Sequence, residues 1–516
     1  MTFELKMKRV RCSPIAIRMM FVAATLAFAP SANAQWNGFA RDAQHSADSP
    51  VASQSLNRVI WSTPVDLDPQ TAGGELLGHY GSPLITAANT VIVPVKTGAS
   101  GGFRVDARSG IDGTLIWTLP TDFVRPPSTE LPVFGPVLTS QPRLYFPGIG
   151  GTVYFRDSPD AACSGSGNCR KQLAFFGMKN YKKRKKKYNA GVLISTPLTS
   201  DSAGDIYFGF IVTKPSGALR DAHHKQLTSG IARIDSGGQG TWIAVTAAAE
   251  DQTMTGVALN CAPALSPDLT TLYVAVSNGS AGYLVALNGT TLAPIARVRL
   301  KDPDSGNDAT LPSASSASPT VGPDSDVYFG VLENPCCAEN HDRGWLLHFN
   351  ATLSQPKTPG AFGWDTTASV VPSSAIPSYS GASSYLLATK YNNYAGAGGD
   401  GMNKVAVLDP NAIETDPVTG VTVMNEVQTV VGPTPDGDLP GVKEWCINSA
   451  AVDTAGGSII VNSEDGNLYR WDLSANMLSA PVMLTTGYDE AYTPTVIGID
   501  GTAYAIQDGI LFAVGN

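Results

Sequence analysis

Polar and aromatic residues occur in short segments between apolar runs, and their types suit the binding of a small molecule. Carboxylates, amides and aromatic rings together favour a polar or sugar-like ligand. The candidates are His79, Tyr80, Asn260, Lys390, Tyr391, Asn392, Asn393, Glu444, Trp445, Asn448, Tyr488, Glu490 and Tyr492. We interpret them as a candidate ligand-binding face. The alternative interpretation is that individual members satisfy loop backbone groups and fill a channel.

Two of these candidates, Glu444 and Glu490, raise the hypothesis of a polysaccharide hydrolase or lyase. Glycoside hydrolysis uses paired carboxyl groups about 5 to 10 Å apart. A larger separation would indicate that the two side chains only line a surface.

The cysteines suggest disulfides. Cys163 and Cys169 bracket a short Ser/Gly segment, Cys336 and Cys337 are adjacent, and Cys261 and Cys446 remain as a long-range pair. Six cysteines allow many connectivities, and these pairings rest on proximity in the sequence.

The elements that position these residues recur along the chain. A small residue, usually followed by proline, precedes apolar residues, a polar turn and an alternating aromatic or β-branched run. Proline fits the first residue of a strand, where no ladder bond is lost. The repeats are 44 to 78 residues apart and begin at Ser82-Pro83, Gly135-Pro136, Thr196-Pro197, Ala262-Pro263, Ser318-Pro319, Val371-Pro372, Ser449-Ala450 and Thr493-Pro494.

This repetition predicts an all-β, closed propeller of about eight four-stranded blades. Second strands are predicted at Val91-Ile92-Val93, Leu144-Tyr145-Phe146, Ile206-Tyr207-Phe208, Leu272-Tyr273-Val274, Val327-Tyr328-Phe329, Ser458-Ile459-Ile460 and Ala503-Tyr504-Ala505. The segment Arg58 to Val65 is a lone strand before the first repeat, and the last repeat is one strand short. We therefore expect the N-terminal strand to complete the last blade and remove the sheet edges.

The repeats resemble those of the quinoprotein-alcohol-dehydrogenase-like propellers, which run Ala-x-Asp-x-x-Thr-Gly-x-x-x-Trp. Degenerate versions occur at Val105 to Gly110 leading to Trp117, at Val285 to Gly289 and at Ala406 to Pro410. The resemblance covers nearly the whole chain after the leader. Because it is a match between repeats, it concerns the fold more than the activity.

The resemblance implies one candidate activity, the oxidation of alcohols or sugars by pyrroloquinoline quinone with calcium. Adjacent cysteines lie over the quinone in that family, so Cys336 and Cys337 either contact a cofactor, brace their loop, or are independently paired or free thiols. No calcium ligands, catalytic base or quinone floor can be assigned from the sequence, and we assign no metal ligands. The absence of Cys-x-x-Cys-His argues against covalent haem.

The first 34 residues predict a secretory signal peptide. Five basic residues precede the apolar stretch Met19 to Ala29, and Ala32-Asn33-Ala34 forms a cleavage site. The apolar stretch is too short to span a bilayer comfortably, and no later segment approaches the roughly 20 apolar residues that a membrane helix needs. We expect a single propeller domain over residues 35–516, secreted or periplasmic.

Cleavage would leave 30 basic and 43 acidic residues, a net charge of −13, which argues against nucleic-acid binding. The run Lys182 to Lys187 contrasts with this charge and is predicted to lie in a loop between blades. Such a run is either a solvated loop or a docking point for an anionic partner. The leading functional hypothesis is a platform that binds a small polar ligand or a protein.

Overall fold

A computed structural model of the protein describes residues 1, 36–72, 75–76, 81–99, 101–126, 134–163, 169–312, 315–335, 342–437, 440–486 and 494–516. The chain divides into two compact units, residues 1–32 and residues 33–516. Apart from Met1, the predicted signal peptide lies outside the described residues. All of the strands belong to the second unit.

Eight antiparallel sheets follow one another along the chain as the blades of a propeller. Blade 1 contains Leu84–Ile85, Thr90–Gly98, Gly101–Ser109 and Leu115–Thr121; blade 2 contains Val137–Leu138, Arg143–Pro147, Thr152–Asp157 and Lys171–Ala174. In blades 3 and 4 the innermost strand is split in two. Blade 3 contains Val192–Ile194 with Thr199–Ser200, Ile206–Val212, Gly230–Ile234 and Gly240–Ala244; blade 4 contains Gly256–Val257 with Ala264–Leu265, Thr271–Ser277, Gly282–Asn288 and Pro294–Arg299.

The second half of the ring is less regular. Blade 5 contains Thr320–Val321, Val327–Val331 and Trp345–Phe349, and isolated bridges to Pro356 and Gly360 occupy the position of its fourth strand. Blade 6 contains Ser369–Pro372, Tyr385–Tyr391, Lys404–Thr415 and Thr422–Val431; blade 7 contains Ala451–Asp453, Ser458–Asn462, Asn467–Asp472, Met477–Leu478 and Val482–Met483; blade 8 contains Val496–Ile497, Ala503–Gln507, Ile510–Gly515 and Arg58–Pro64.

Short elements decorate the blades. A hairpin is formed by Thr71–Ala72 and Glu75–Leu76. The α-helices are Met178–Lys183, Lys185–Gly191 and Val245–Ala248, and the 3-10 helices are Ile149–Gly151, Ser373–Ala375 and Ala395–Ala397. None of the helices in the described part of the chain has the length and apolar character that a bilayer crossing requires.

All seven second strands predicted from the sequence are confirmed. One predicted strand start is wrong. Val371-Pro372 ends the innermost strand of blade 6, which begins at Ser369. The turn before it lacks the usual proline, and Thr367-Ala368 takes the position that Ser318-Pro319 has in blade 5. Proline at the end of an edge strand costs no ladder bond, so it is not a unique marker of a strand start.

The ring is closed as predicted. Arg58–Pro64 pairs antiparallel with Ile510–Gly515, so the N-terminal strand forms the outer edge of blade 8. Blade 8 also contacts blade 1, because the Trp61 indole N–H donates to the Gly110 carbonyl at 3.0 Å. This closure protects strand edges that would otherwise pair with other chains.

An unpredicted segment follows the innermost strands around the central channel. Residues 36–49 hydrogen-bond in turn with the innermost strands of six blades. Ile85 exchanges two backbone bonds with Trp36, and the N–H groups of Leu138, Leu265, Val321, Val370 and Val452 donate to carbonyls of residues 37–47 at 2.7 to 2.9 Å. Asp48–Ser49 then adds a short parallel strand to blade 7. We call residues 36–49 the channel segment.

The prediction that the basic run is a loop is wrong. Residues 178–183 and 185–191 form two short helices in the connection from blade 2 to blade 3, separated at Arg184. Tyr181 and Tyr188 are buried, and the Tyr188 ring stacks on Phe176 with a centroid distance of 4.2 Å. These aromatic contacts fold the run despite the mutual repulsion of its charges. We call the two helices the basic helix pair.

Candidate functional site

The turns that lead into the innermost strands meet around the channel. Five side chains from blades 4 to 7 form a buried polar group there, which we call the channel cluster: Asn260, Ser316, Asp365, Lys390 and Asn448. Ser316, Asp365 and Asn448 stand just before an innermost strand. Asn260 stands between the two parts of the innermost strand of blade 4, and Lys390 lies in the second strand of blade 6. Equivalent positions in consecutive blades converge because the blades are related by rotation about the channel.

Asp365 is the centre of the channel cluster. Its Oδ1 accepts hydrogen bonds from the Ser316 backbone N–H and, at 2.5 Å, from the Ser316 hydroxyl. Its Oδ2 lies 3.9 Å from Lys390 Nζ. Burial raises the pKa of the Asp365 carboxyl, while Lys390 and Ser316 lower it. The backbone of Asp365 is left-handed, with φ of 51°, a conformation that often marks functional positions when a non-glycine residue adopts it.

Two amides complete the channel cluster. Asn448 Nδ2 donates to the carbonyl and the hydroxyl of Ser316 at 3.0 and 2.9 Å, and Asn260 Nδ2 donates to the Ser315 carbonyl at 3.2 Å. The Oδ1 atoms of both asparagines are buried and have no hydrogen-bond partner among the described residues. These two oxygens can accept hydrogen bonds from a bound molecule.

A second group of predicted residues lies between blades 6 and 7. Asn392 Nδ2 donates to Glu444 Oε2 and to the Trp445 carbonyl, both at 3.3 Å, and the Trp445 N–H donates to Asn392 Oδ1 at 3.1 Å. Tyr394, which sequence reasoning missed, donates its hydroxyl proton to Glu444. Burial and this carboxylate raise the pKa of Tyr394 well above its usual value. Trp445 is fully buried and packs edge-on against Tyr469.

Other predicted residues lie elsewhere. Tyr391 is buried between blades 5 and 6, with Lys404 Nζ 4.4 Å from its ring centroid. Asn393 braces its own loop by donating to Asp400 at 2.7 Å. The remaining candidates of the predicted face lie outside the described residues: His79, Tyr80, Tyr488, Glu490 and Tyr492. The separation of Glu444 from Glu490 is therefore not defined, and the hydrolase hypothesis stays a prediction.

The cysteine predictions have mixed outcomes. Cys163 and Cys169 form a disulfide, as predicted. The predicted pair of Cys261 and Cys446 is wrong, because no disulfide joins these buried residues. They lie in the turns leading into blades 4 and 7, so blades 5 and 6 come between them along the ring. Burial raises the pKa of the Cys261 thiol to about 12. Cys336 and Cys337 lie outside the described residues.

Sequence reasoning missed Asp365 and Ser316. The prediction places the start of the innermost strand of blade 6 at Val371-Pro372, whereas the strand begins at Ser369. Asp365 is therefore not assigned to the turn that precedes this strand. A signal for both residues is present in the sequence. Asn260, Ser316 and Asp365 each stand four residues before the innermost strand segment that follows them, which begins at Ala264, Thr320 or Ser369.

A cavity of about 450 Å³ lies on the same face, between blades 3 and 4. Four hydroxyl side chains line it, together with aliphatic residues and backbone, and no charged side chain contributes. Its lining is Ile211, Val212, Thr213, Ser229, Thr255 to Leu259, Ser277, Gly279, Leu311 and Pro312. Leu259 is followed directly by Asn260 of the channel cluster. The volume suits a small organic ligand, and the uncharged lining favours a neutral one.

The described residues of this face do not fit pyrroloquinoline quinone. Its carboxylates would need cationic partners and its rings a flat aromatic floor. Lys390 already faces Asp365, and Arg343, the buried cation of blade 5, donates to both oxygens of Asp416 at 3.0 and 2.9 Å. Trp445 is fully buried against Tyr469. The described residues contain no group of three or more His, Cys, Asp or Glu placed to hold a metal.

Comparison with known proteins identifies structures with a similar fold. No family model matches the sequence, and a search of the curated proteins finds no match. Among solved structures, the quinohemoprotein alcohol dehydrogenase from Comamonas testosteroni is similar with a TM-score of 0.54 and 11% identity, over 93% of this chain and 81% of that chain. A europium-containing methanol dehydrogenase is similar with a TM-score of 0.52 and 11% identity, over 92% and 89% of the two chains. At this identity the likeness concerns the fold alone: the chain folds as an eight-bladed β-propeller, and its fold is similar to those of these two dehydrogenases.

Proposed function

We propose that this protein is a binding platform that holds a small, neutral, hydroxyl-bearing ligand in the cavity between blades 3 and 4. The observation that carries the proposal is the lining of the cavity, which combines four hydroxyl-bearing residues with aliphatic ones and includes no charged residue. A polyol or sugar offers both hydroxyl groups and apolar C–H faces to such a lining. The buried amide oxygens of Asn260 and Asn448, nearby on the same face, add acceptors for hydroxyl donors.

The predicted export of this protein is consistent with the proposed binding function. The predicted signal peptide and the Cys163–Cys169 disulfide support a secreted or periplasmic location, since disulfides persist in oxidising compartments. The quinone-dependent dehydrogenase is the competing hypothesis. It rests on the resemblance of the repeats, while the described residues favour a neutral ligand over an anionic quinone.

The test is a calorimetric titration of the purified chain with a panel of polyols and sugars and, separately, with pyrroloquinoline quinone plus calcium. We expect at least one member of the panel to bind. Ala258→Phe places a ring in the cavity and should weaken this binding by at least about tenfold, since a clash removes the hydrogen bonds of the site. Ala293→Phe, in an exposed turn of blade 4, is the matched control and should bind as the unchanged chain does.

Two results would overturn the proposal. One is panel binding that Ala258→Phe leaves unchanged. The other is tight binding of the quinone with calcium, accompanied by dye-linked oxidation of an alcohol or sugar, while the panel alone does not bind. The second result would establish the dehydrogenase hypothesis.

We propose docking of an anionic partner as a second function of the same face. The basic helix pair lies in the connection from blade 2 to blade 3, and its last residue, Gly191, accepts a backbone bond from Thr213 of the cavity lining. All five lysines of the run are exposed. A cluster of cations on an acidic protein attracts a partner of opposite charge to this place.

A further inference from the structure

We infer that the basic helix pair is a docking surface for a short acidic protein segment, in which closely spaced carboxylates meet Lys182, Lys183, Lys185, Lys186 and Lys187. The inference rests on the proposed anionic docking and names its partner. It is independent of the ligand in the cavity.

The helix pair presents its lysines on a fixed support. Tyr188 accepts from the Arg220 N–H at 3.2 Å and donates to the Arg220 carbonyl at 2.6 Å, and Tyr181 donates to Asn189 at 2.9 Å. Arg184, the remaining cation of the run, donates to the Ala218 carbonyl at 2.8 Å. The anchoring therefore uses the tyrosines and Arg184, and it leaves the five lysines to face solvent.

No carboxylate of the described residues forms an ion pair with any of these five lysines. Five like charges this close together along the chain repel each other, so the surface costs stability when no partner is present. An acidic partner removes that repulsion on binding. The gain is electrostatic and will weaken as salt is added.

The extent of the surface favours a short partner. Six residues of helix extend about 9 Å, close to the Debye length of about 10 Å at moderate salt. A short run of carboxylates spans this length, since an extended chain covers about 3.3 Å per residue.

The chemistry of the surface also favours a protein partner. Between residues 171 and 230 no large apolar side chain is exposed, so the helix pair offers no anchor for insertion into a bilayer. Its two aromatic rings, Tyr181 and Tyr188, are buried and cannot stack on sugars or bases. Lysine ammonium groups are point charges that suit carboxylates in varied geometry, as in an acidic peptide.

The experiment measures binding of a fluorescent peptide that alternates glutamate with glycine, followed by anisotropy at low salt. Sulfated oligosaccharide and vesicles containing anionic lipid serve as the other probes. Two variants of the full chain are compared, one with all five lysines changed to glutamine and one with all five changed to arginine. Glutamine and arginine have helix propensities close to that of lysine, and circular dichroism checks that both variants fold.

We expect the glutamine variant to bind the peptide at least about tenfold more weakly, and the arginine variant to stay within about twofold of the unchanged chain. If oligosaccharide or vesicles bind through the lysines and the peptide does not, the inference is overturned while the anionic docking stands. If every probe binds the glutamine variant and the unchanged chain equally well, the inference and the proposed anionic docking are both overturned.

Discussion

The hydroxyl of Tyr273 in blade 4 donates a hydrogen bond of 2.7 Å to the carbonyl of Ala351 in blade 5. The arrangement recurs around the ring. Tyr207 of blade 3 donates to Gly289 of blade 4 at 3.0 Å, and Tyr328 of blade 5 meets Tyr385 of blade 6 at 2.6 Å between hydroxyl oxygens. Tyrosine therefore recurs in the second strands because its ring fills the space between blades and its hydroxyl reaches the next blade.

Tyr273→Phe should lower the free energy of unfolding by about 1 kcal/mol, because the Ala351 carbonyl loses its donor while the packing of the ring is kept. The measurement is denaturant unfolding followed by fluorescence. Tyr283→Phe is the control, since Tyr283 is half-buried and water can replace its bond to Asp251. Equal effects of the two substitutions would contradict this account of the blade contact.

Gln44 of the channel segment donates from Nε2 to the carbonyls of Leu265 and Ser266 at 3.2 and 3.1 Å. Gln44→Ala should cost about 1 to 2 kcal/mol, because the two bonds attach the segment to blade 4. Gln70→Ala, which removes only local contacts at the surface, should be neutral. An unchanged unfolding midpoint for Gln44→Ala would mean that these contacts add nothing to stability.

His45 should make stability depend on pH. Its Nδ1 donates to the Pro319 carbonyl at 2.7 Å, and burial lowers the pKa of the ring from 6.5 to about 4, although Pro319 and Asp42 oppose the shift. Between these values the unfolded chain binds a proton that the folded chain excludes, so stability falls as the pH drops from about 6.5 to 4, by about 3 kcal/mol in total.

Unfolding measured across this pH range, for the unchanged chain and for His45→Asn, checks the prediction. Asparagine tolerates the left-handed backbone of position 45, where φ is 60°, and it keeps a donor for Pro319. The difference in stability between the two proteins should shrink or reverse as the pH falls. A constant difference would show that His45 does not titrate as described.

Lys390→Met should destabilise the protein by about 3 to 5 kcal/mol, because it removes the cation that faces the buried carboxyl of Asp365. The double variant Lys390→Met with Asp365→Asn should recover part of the loss, since no buried charge then lacks its counterion. Urea unfolding of both single variants and of the double variant gives the coupling energy. Strictly additive effects would argue against an interaction between the two side chains.

The mature chain should begin at Gln35, directly before Trp36 of the channel segment. Mass spectrometry of the exported protein gives its N-terminus. Ala34→Arg should block cleavage, because the site requires a small residue at this position. A mature protein that keeps residues 1–34, or one that begins beyond Trp36, would refute the predicted leader.

The amino-acid sequence by itself determined the blades. Alternating apolar residues, polar turns and prolines at strand starts are local signals, and each hairpin carries its own set. They located seven second strands such as Leu272-Tyr273-Val274 and the closing strand Arg58–Pro64. Local signals also indicated Cys163–Cys169, because a short loop brings its own ends together.

Only the tertiary structure decided what lies around the axis and on the surface. The channel segment has no periodic pattern, because it bonds in turn to one strand in each of six blades, and its partners are up to about 400 residues away. Asp365 joins Ser316 and Asn448 only when three blades converge. The basic run folds as helices because Phe176 and Arg220 hold its tyrosines, and these long-range contacts outweigh the repulsion that the local sequence implies.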